Sequence, residues 1–414
     1  MALTLVTTLP PHASGAEALR FAHKAWLAGA EALEVRSDLH GAEAIDAPRL
    51  AAIIPLLVSE RGAPLPSSWR SAARFVDRPI GAETGDVSIA SHHAAEPMEP
   101  ARALELWTRA AVPAAVSIKH VEPLGPLGRA SRLLETQRLL IEAFGEGRVT
   151  VLAVGALALP FRCLLAPRNA FDYLGCGGWS AADGQRLLAD AVRDRRAALH
   201  PSARRGILGS HLAHSRSPRV HAAPFDRIDV PPDTDVIALL AALLPHYDGL
   251  AVTSPFKKQI AQATGGHLSA VNTLVRRRGE AGPHWTGFNT DTAGAQLALE
   301  RLGEGPVQVL GDGGATSAIR EVCRWTGRDL TVHRRDSLPD RPLSGRVVWT
   351  WPAHLAPPER LSFHDCTVGL IAYGQQARQI GIAIRLRGGA PLALGAAWFA
   401  AQARGQRRNW EAAQ

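Results

Sequence analysis

The chain has 414 residues, of which 46% are hydrophobic, 20% charged and 6% aromatic. That composition excludes a disordered chain and suffices for two or more cores of about 150 to 200 residues each. Net charge is +8, but the basic residues fall in short scattered groups (Arg193 to Arg196, Arg276 to Arg278, Arg334 and Arg335) without interleaved aromatics, which argues against nucleic acid and for small anionic metabolites. No run approaches the roughly 18 to 20 apolar residues of a membrane helix, and the N-terminal segment reads as a first strand, so a cytoplasmic protein with no membrane partner is expected. Cys163, Cys176, Cys323 and Cys366 form no CxxC pair and have no histidine at finger spacing, so buried thiols are expected.

In chain order, the first half alternates β-rich runs with amphipathic stretches. Strands are predicted over Leu3 to Thr7, Ala32 to Val35, Pro55 to Ser59, Val87 to Ser91, Ala114 to Ile118, Thr150 to Val154 and Phe171 to Leu174, with helices over Ala16 to Leu27, Ala42 to Ala51 and Ala181 to Arg195. Repeated βα units build a parallel sheet or barrel, so a (β/α)8-type barrel is expected over 1–197. Only about six residues separate Asp77-Arg78-Pro79 from Val87, too few for a crossover helix, which leaves room for a locally incomplete barrel.

An Arg-rich linker over 198–205 then leads to a fresh strand, Gly206 to Gly209, and a second α/β region over 206–414. Within it, the strand Pro306 to Leu310 runs into Gly311-Asp312-Gly313-Gly314-Ala315 and a helix over Ser317 to Trp325. Glycines there let a backbone approach a pyrophosphate at a helix N-terminus, although a Gly-rich αβ turn can also hold no ligand. The next strand ends in His333-Arg334-Arg335, where an NAD enzyme would carry an acidic residue; arginines suit a 2′-phosphate. The expected cofactor is therefore NADP, held by Gly311, Gly313, Gly314, Ala315, Arg334 and Arg335. The stretch Val347 to Pro352 comes so soon after Arg335 that a helix or strand of the usual sheet is expected to be absent.

Of 46 basic residues only Lys24, Lys119, Lys257 and Lys258 are lysine. Arginine serves wherever a positive charge suffices, so each lysine raises a chemical question: only an amine can lose its proton and attack a carbonyl. Lys119 ends a predicted strand, the position where barrels place catalytic groups, and a desolvated amine there has a lowered pKa and can form an imine. Lys257 lies in Thr253-Ser254-Pro255-Phe256-Lys257, and an amine beside a carboxylate can cycle the proton of an alcohol. The plain alternative for both is a solvated lysine.

Glu34-Val35-Arg36, Arg61, Ser91-His92-His93, Lys119, Arg162 and Ala182-Asp183-Gly184-Gln185, in that order, resemble the type I 3-dehydroquinate dehydratase family over 1–197. The resemblance implies that Lys119 forms an imine with the substrate ketone, His93 acts as general acid and base, and Arg162 binds the carboxylate. Glu34, Arg36, Arg61 and Gln185 would line the pocket, and no metal is called for. Two departures stand out: Pro79 replaces the glutamate that orients the family's histidine, and Asp183 stands where proline is usual.

His214-Ser215-Arg216-Ser217-Pro218, the stretch Gly249 to Lys257, Ala270-Val271-Asn272-Thr273 and Gly287-Phe288-Asn289-Thr290-Asp291, followed by the Gly-rich turn, resemble the shikimate dehydrogenase family over 206–414. By that resemblance 206–286 and 395–414 form the substrate-binding part and 287–394 a Rossmann-like NADP part. Ser215 and Ser217 would hold the substrate carboxylate, Thr253, Asn272 and Gln402 its hydroxyls, and Lys257 with Asp291 would be the catalytic pair. The family's asparagine six residues before the lysine is Ala251 here, a lost hydrogen bond of roughly 0.5 to 1.5 kcal/mol. The second serine leans toward shikimate over quinate.

The fused order implies two successive reactions, from 3-dehydroquinate to 3-dehydroshikimate and then, with NADPH, to shikimate, with these small molecules as the partners. One rival keeps the dehydrogenase and makes the barrel inactive. Another is a metabolite-sensing regulator on the same domains, against which the retained Lys119, Lys257 and Asp291 argue, since a sensor needs a pocket and not reactive amines.

Overall fold

Short runs rich in valine, isoleucine and leucine make eight strands in the first half: β1 (Thr4–Thr8), β2 (Ala32–Arg36), β3 (Leu56–Ser59), β4 (Phe75–Pro79), β5 (Ile89–His93), β6 (Ser117–Pro123), β7 (Val149–Val154) and β8 (Phe171–Leu174). In this computed structural model, which describes residues 3–82, 87–197, 203–222, 224–264, 266–351 and 357–413, they pair in parallel in the order β7-β6-β5-β4-β3-β2-β1-β8. The sheet is nearly closed. Ala170 N donates to Val149 O at 2.8 Å, Phe171 N to Thr150 Oγ1 at 3.1 Å, and the Asn169 amide exchanges hydrogen bonds with Val151 N and O at 2.9 and 3.0 Å. Side chains thus satisfy the edge groups of β7 and β8 that a ladder would otherwise pair.

All eight strands are present, but among the described residues no helix stands between β4 and β5, so the barrel lacks a crossover helix there, as the short connection suggested. β4 pairs directly with β5, Pro79 opposite Ser91, because β5 starts at Ile89 and the connection gains length; residues 83–86 within it lie outside the described residues. Strand β6 also starts later than the sequence suggests, which puts Lys119 and His120 inside the strand. The expected helix from Ala181 begins only at Leu188. Before it, Gly184 takes φ +79°, where an added Cβ would meet Ala158 at 2.7 Å, and the chain folds as a loop over the barrel end.

Helices pack outside the sheet on apolar faces. In the helix Arg132–Phe144, Leu133, Gln137, Leu140 and Ile141 are buried at helical spacing, and Gly145 at φ +94° ends it. Val6, Leu57, Ile89, Val121, Leu152 and Phe171 fill the barrel interior, each such side chain contributing about 1.5 to 3 kcal/mol on burial.

The chain divides into two compact units, Met1–Pro218 with Ala222–His246, and Arg219–His221 with Tyr247–Gln414. The first also contains the parallel pair β9 (Arg205–Gly209) and β10 (Phe225–Asp229). Residues 198–202 of the expected linker lie outside the described residues, as does Pro352.

In the second unit, β11 (Gly249–Val252) pairs antiparallel with β12 (Thr273–Gly279), and β12 with β13 (Gly282–Phe288). A parallel sheet comes next, made of β14 (Val307–Leu310), β15 (Leu330–His333), β16 (Leu343–Trp349), β17 (Phe363–Leu370) and β18 (Gly389–Ala393), in the order β15-β14-β16-β17-β18. Among the described residues no helix stands between β15 and β16, so the expected shortening is real. The order reverses at β14, and in such a sheet ligands bind at the carboxyl ends of the strands beside that reversal. The C-terminal helix Gly395–Glu411 lies against the helix Asp291–Leu302; Trp398 packs where a Cβ on Gly294 would come within 2.7 Å. All four cysteines are buried free thiols. Among the described residues no helix is long and apolar enough to cross a membrane.

Candidate active sites

Along a strand alternate side chains face one way, and at the carboxyl end of the barrel this alternation gathers one set of residues. A cavity of about 460 Å³ is lined by Glu34, Arg36, Arg61, His93, Lys119, Arg162 and Gln185, together with Val121, Leu152, Val154 and Tyr173. All seven residues expected in the first half therefore meet. Arg162 arrives from the short helix Leu159–Leu165 and Gln185 from the loop before the helix Leu188–Ala197.

Lys119 is buried, with its amine against the Asp77 carboxylate, 3.2 Å from Tyr173 Oη and 4.5 Å from the centre of that ring. Burial pushes its pKa below the ordinary lysine range; Asp77 and Glu34 oppose the shift and Arg61 adds to it. Asp77 also receives Arg61 Nη2 at 3.5 Å. Glu34 is fixed by Thr8 Oγ1 at 2.6 Å and Ser59 Oγ at 2.7 Å. Arg36 forms a two-pronged pair with Asp38 at 3.0 and 2.6 Å. Buried Arg162 donates Nη2 to Tyr173 O at 3.0 Å, while its Nε has no partner among the described residues. Gln185 Oε1 accepts from Ala181 N at 2.9 Å, which holds its loop closed. Arg61 and Arg162 bring guanidinium groups to the cavity, while the charge of Arg36 is offset by Asp38.

His92 and His93 are distinguished by the pleat. His93 lines the cavity; His92 stacks on His120 at 5.5 Å between ring centres, and His120 bonds Glu122 at 3.2 Å and Trp107 Nε1 at 3.3 Å. Desolvation at the cavity wall, then the charges of Arg61, Lys119 and Arg36, hold the His93 imidazole far below the ordinary histidine range. Its outer edge is exposed, so solvent screens part of this effect. No carboxylate contacts His93 among the described residues, in keeping with Pro79 on β4, whose side is exposed. Asp77 and Tyr173 were not singled out from sequence. Asp77 sits two residues before Pro79 on the same strand face, and that period of two was the available signal.

In the second unit, Lys257 opens the helix Lys257–Ala263 and Asp291 opens the helix Asp291–Leu302. Lys257 Nζ lies 2.6 Å from Asp291 Oδ2, with side chains 17% and 4% exposed. Val271 N donates to Lys257 O at 2.9 Å, which holds the neighbouring Asn272 close. Asn272 is fully buried: its Oδ1 accepts from Thr290 N at 2.8 Å, Thr273 Oγ1 at 2.9 Å and Thr290 Oγ1 at 3.1 Å, and its Nδ2 is unpaired among the described residues. Thr253 lies after β11 in the turn leading to Lys257 and is half-buried. Gln402, also half-buried, lies one turn before Gln406, whose Nε2 donates to Asn272 O at 3.1 Å. Ala251 is buried in β11 opposite Thr273. Ser215 and Ser217 belong to the first unit, where Ser217 N donates to Ser215 Oγ at 3.3 Å.

Gly311 comes directly after β14 at φ +123°, and a Cβ there would meet Thr350 Oγ1 at 2.5 Å, so only glycine makes this turn. Gly313 caps the helix Gly314–Thr326 without a side chain, and Ala315 packs into the core beneath. The Lys257 stem passes 3.4 Å from where a Cβ on Gly314 would be. Arg334, exposed at the end of β15, pairs with Asp312 Oδ2 at 2.9 Å; Arg320 takes Oδ1 at 3.1 Å. Arg335 lies over Trp351 at 5.3 Å. A glycine turn at the strand-order reversal, a helix N-terminus and two arginines at the next strand's end fit a phosphorylated dinucleotide.

No protein-family model matches the chain. Shikimate dehydrogenase (NADP(+)) of Bordetella petrii is 37% identical over 147 residues, 31% of this chain and 50% of that protein. The enzyme of the same name from Chlorobium phaeobacteroides is 32% identical over 139 residues, 29% of this chain and 46% of that protein. The chain thus spans about half the length of the curated relatives it matches. A solved structure described as dehydroquinate dehydratase and shikimate dehydrogenase from S. pombe AroM aligns with 99% of this chain and 96% of its own, at 18% identity and a TM-score of 0.37.

A histidine neutral in the folded chain, with an unfolded pKa near 6.5, costs stability as pH falls through that value, because the unfolded chain then binds the extra proton. In NMR spectra His93 is therefore expected not to titrate between about pH 5 and 8, and His93→Gln should lessen the loss of stability from pH 7 to 5. A His93 midpoint near 6.5 would contradict this account of the cavity's charge.

Proposed function

We propose that this chain is a bifunctional enzyme of the shikimate pathway, a type I 3-dehydroquinate dehydratase over 1–197 joined through 198–205 to an NADP-dependent shikimate dehydrogenase over 206–414. One observation carries the reading: two of the four lysines are each placed against a carboxylate, Lys119 on Asp77 and Lys257 on Asp291. The matched curated relatives, named as NADP(+) shikimate dehydrogenases, support the second activity. A cytoplasmic location belongs to the same proposal.

In the barrel, the neutral Lys119 amine attacks the ketone carbon of 3-dehydroquinate and water leaves as the imine forms. His93, neutral and so able to accept, takes the proton from the adjacent carbon. Electrons shift into the ring, the ring hydroxyl departs with a proton as a second water, and hydrolysis of the imine consumes one water. The net change is loss of one water, giving 3-dehydroshikimate. Arg162 holds the carboxylate; Glu34, Arg36, Arg61 and Gln185 orient the ring.

For the second reaction, NADPH supplies a hydride when bound, with Gly311, Gly313, Gly314 and Ala315 receiving its pyrophosphate and Arg334 and Arg335 its 2′-phosphate. Lys257, held by Asp291, delivers the proton to the substrate oxygen. Asn272, with its unpaired Nδ2, Thr253 and Gln402 bind hydroxyls, and the sequence motif assigns the carboxylate to Ser215 and Ser217. A second reading, an active dehydrogenase with a slow or inactive barrel, is favoured by Pro79, which leaves His93 without an orienting carboxylate.

Borohydride added with 3-dehydroquinate should fix a ligand to Lys119, with the other three lysines as internal controls. Mass spectrometry placing the adduct elsewhere, or finding none while dehydratase activity persists, would refute the imine assignment. Lys257→Arg keeps charge but cannot give up a proton, so shikimate oxidation should fall on the order of 10² to 10⁴ fold with folding intact; near-normal turnover would make Lys257 a bystander. NADPH should bind about ten to a hundred times more tightly than NADH in fluorescence titration, from charge-assisted bonds to the phosphate. Equal affinities would remove Arg334 and Arg335 from the site.

A further inference from the structure

Arg227 is a charged residue that neither proposed reaction uses, yet it is nearly buried and its Nε and Nη1 are both engaged. It lies on β10, and its Nε donates to Asp190 Oδ2 at 2.6 Å, with both side chains 11% exposed. Asp190 belongs to the helix Leu188–Ala197, the last of the barrel, and its other oxygen accepts from Arg193 at 2.9 Å. From the opposite edge of the guanidinium, Nη1 reaches three carbonyls of one turn: Leu212 O, Ala213 O at 3.4 Å and Ser215 O at 3.2 Å. Leu212 and Ala213 belong to the single 3-10 turn Leu212–His214 and Ser215 follows it; a turn this short makes few bonds of its own, so carbonyls such as those of Ala213 and Ser215 need partners brought to them.

The same strand face holds the start of the turn. Asp229, two residues along β10, accepts from Leu212 N at 2.8 Å. His211 enters the turn at φ +59°, a left-handed conformation for a residue with a Cβ, which persists only where the surroundings over-determine it. Ser215 N closes the turn onto Leu212 O at 2.8 Å, and Ser217 N donates to Ser215 Oγ at 3.3 Å. The directions of both serine hydroxyls therefore depend on backbone that Arg227 and Asp229 fix. A cavity of about 100 Å³ lies alongside, with Gln185, Asp190, Ala213, Arg227 and Asp229 in its wall. Gln185 also lines the cavity around Lys119.

We infer that Arg227, oriented by Asp190 of the barrel, is a positioning residue for the Ser215–Ser217 turn, so that recognition of the substrate carboxylate by the dehydrogenase half is built onto the dehydratase half. The inference rests on the dehydrogenase reading above for what the serines bind. Arg227 acts through the turn and not on the substrate: Asp190 offsets its charge, and its Nε and Nη1 are committed. Geometry and not charge is what the site uses, since only a planar fork holds a carboxylate on one edge and carbonyls on another.

The test uses the full chain with Arg227→Gln, Arg227→Lys and Asp190→Asn, measuring kcat and KM for shikimate, KM for NADP(+), and amide hydrogen exchange over 211–217. Losing the fork should raise the shikimate KM about tenfold or more, leave kcat and the NADP(+) KM within about twofold, and speed exchange at Leu212 and Ser215 about tenfold. Arg227→Lys should behave like Arg227→Gln, and the nearly isosteric Asp190→Asn keeps the test alive if the arginine variants fail to fold. Variants that melt earlier but keep the wild-type shikimate KM and exchange would reduce Arg227 to a brace of the fold and overturn the inference. If the wild-type chain oxidises no shikimate, the functional reading fails by itself, while exchange still decides whether Arg227 sets the turn.

Discussion

A lysine amine held out of water against a carboxylate is the interaction around which both sites are arranged. The two versions differ in how much solvent they exclude. Lys119 sits inside the barrel, where burial lowers the amine's proton affinity and Asp77 restores part of it. Such an amine gives up its proton more readily than a solvated lysine. Lys257 remains partly open. Arginine could supply the charge in either place but could not give up a proton.

Around the first amine, the barrel supplies rigidity through polar groups as much as through its apolar core. The Asn169 amide and the Thr150 hydroxyl satisfy the edges of β7 and β8 where the ladder does not close. Glu34 is clamped by hydroxyls from β1 and β3, and Gln185 pins its own loop. Each bond is worth about 1 kcal/mol net, but a broken one leaves a buried polar group unpaired at greater cost. The site is therefore specified mainly by what its failure would cost.

The second unit uses steric exclusion instead. Gly311 turns where no Cβ fits, and the Lys257 stem passes over Gly314. Asp312, inside the turn, already engages Arg320 and Arg334, so an incoming phosphate at Arg334 meets a guanidinium that has an internal partner. One carboxylate between two arginines limits their mutual repulsion and still leaves the corner with net positive charge.

Much of this was legible in the sequence because periodicity and rarity are local properties. Alternating βα units specified a parallel barrel, the Gly-rich turn after β14 specified a helix N-terminus, and four lysines among 46 basic residues marked two amines worth pursuing. Strand boundaries were less legible: a shift of two or three residues in β5 and β6 changes no composition, yet it moves Lys119 from a strand end into a strand. The family resemblance singled out His93 over the adjacent His92, and the pleat supplies the physical reason, since neighbours on a strand face opposite ways. Asp77, Tyr173 and Arg227 acquire their parts only when strands distant in sequence become neighbours. Sequence alone determines which chemistry the side chains can perform, because that is a property of each residue. Tertiary structure decides which groups share a desolvated space, because Coulomb interaction and burial depend on distance in space and not along the chain.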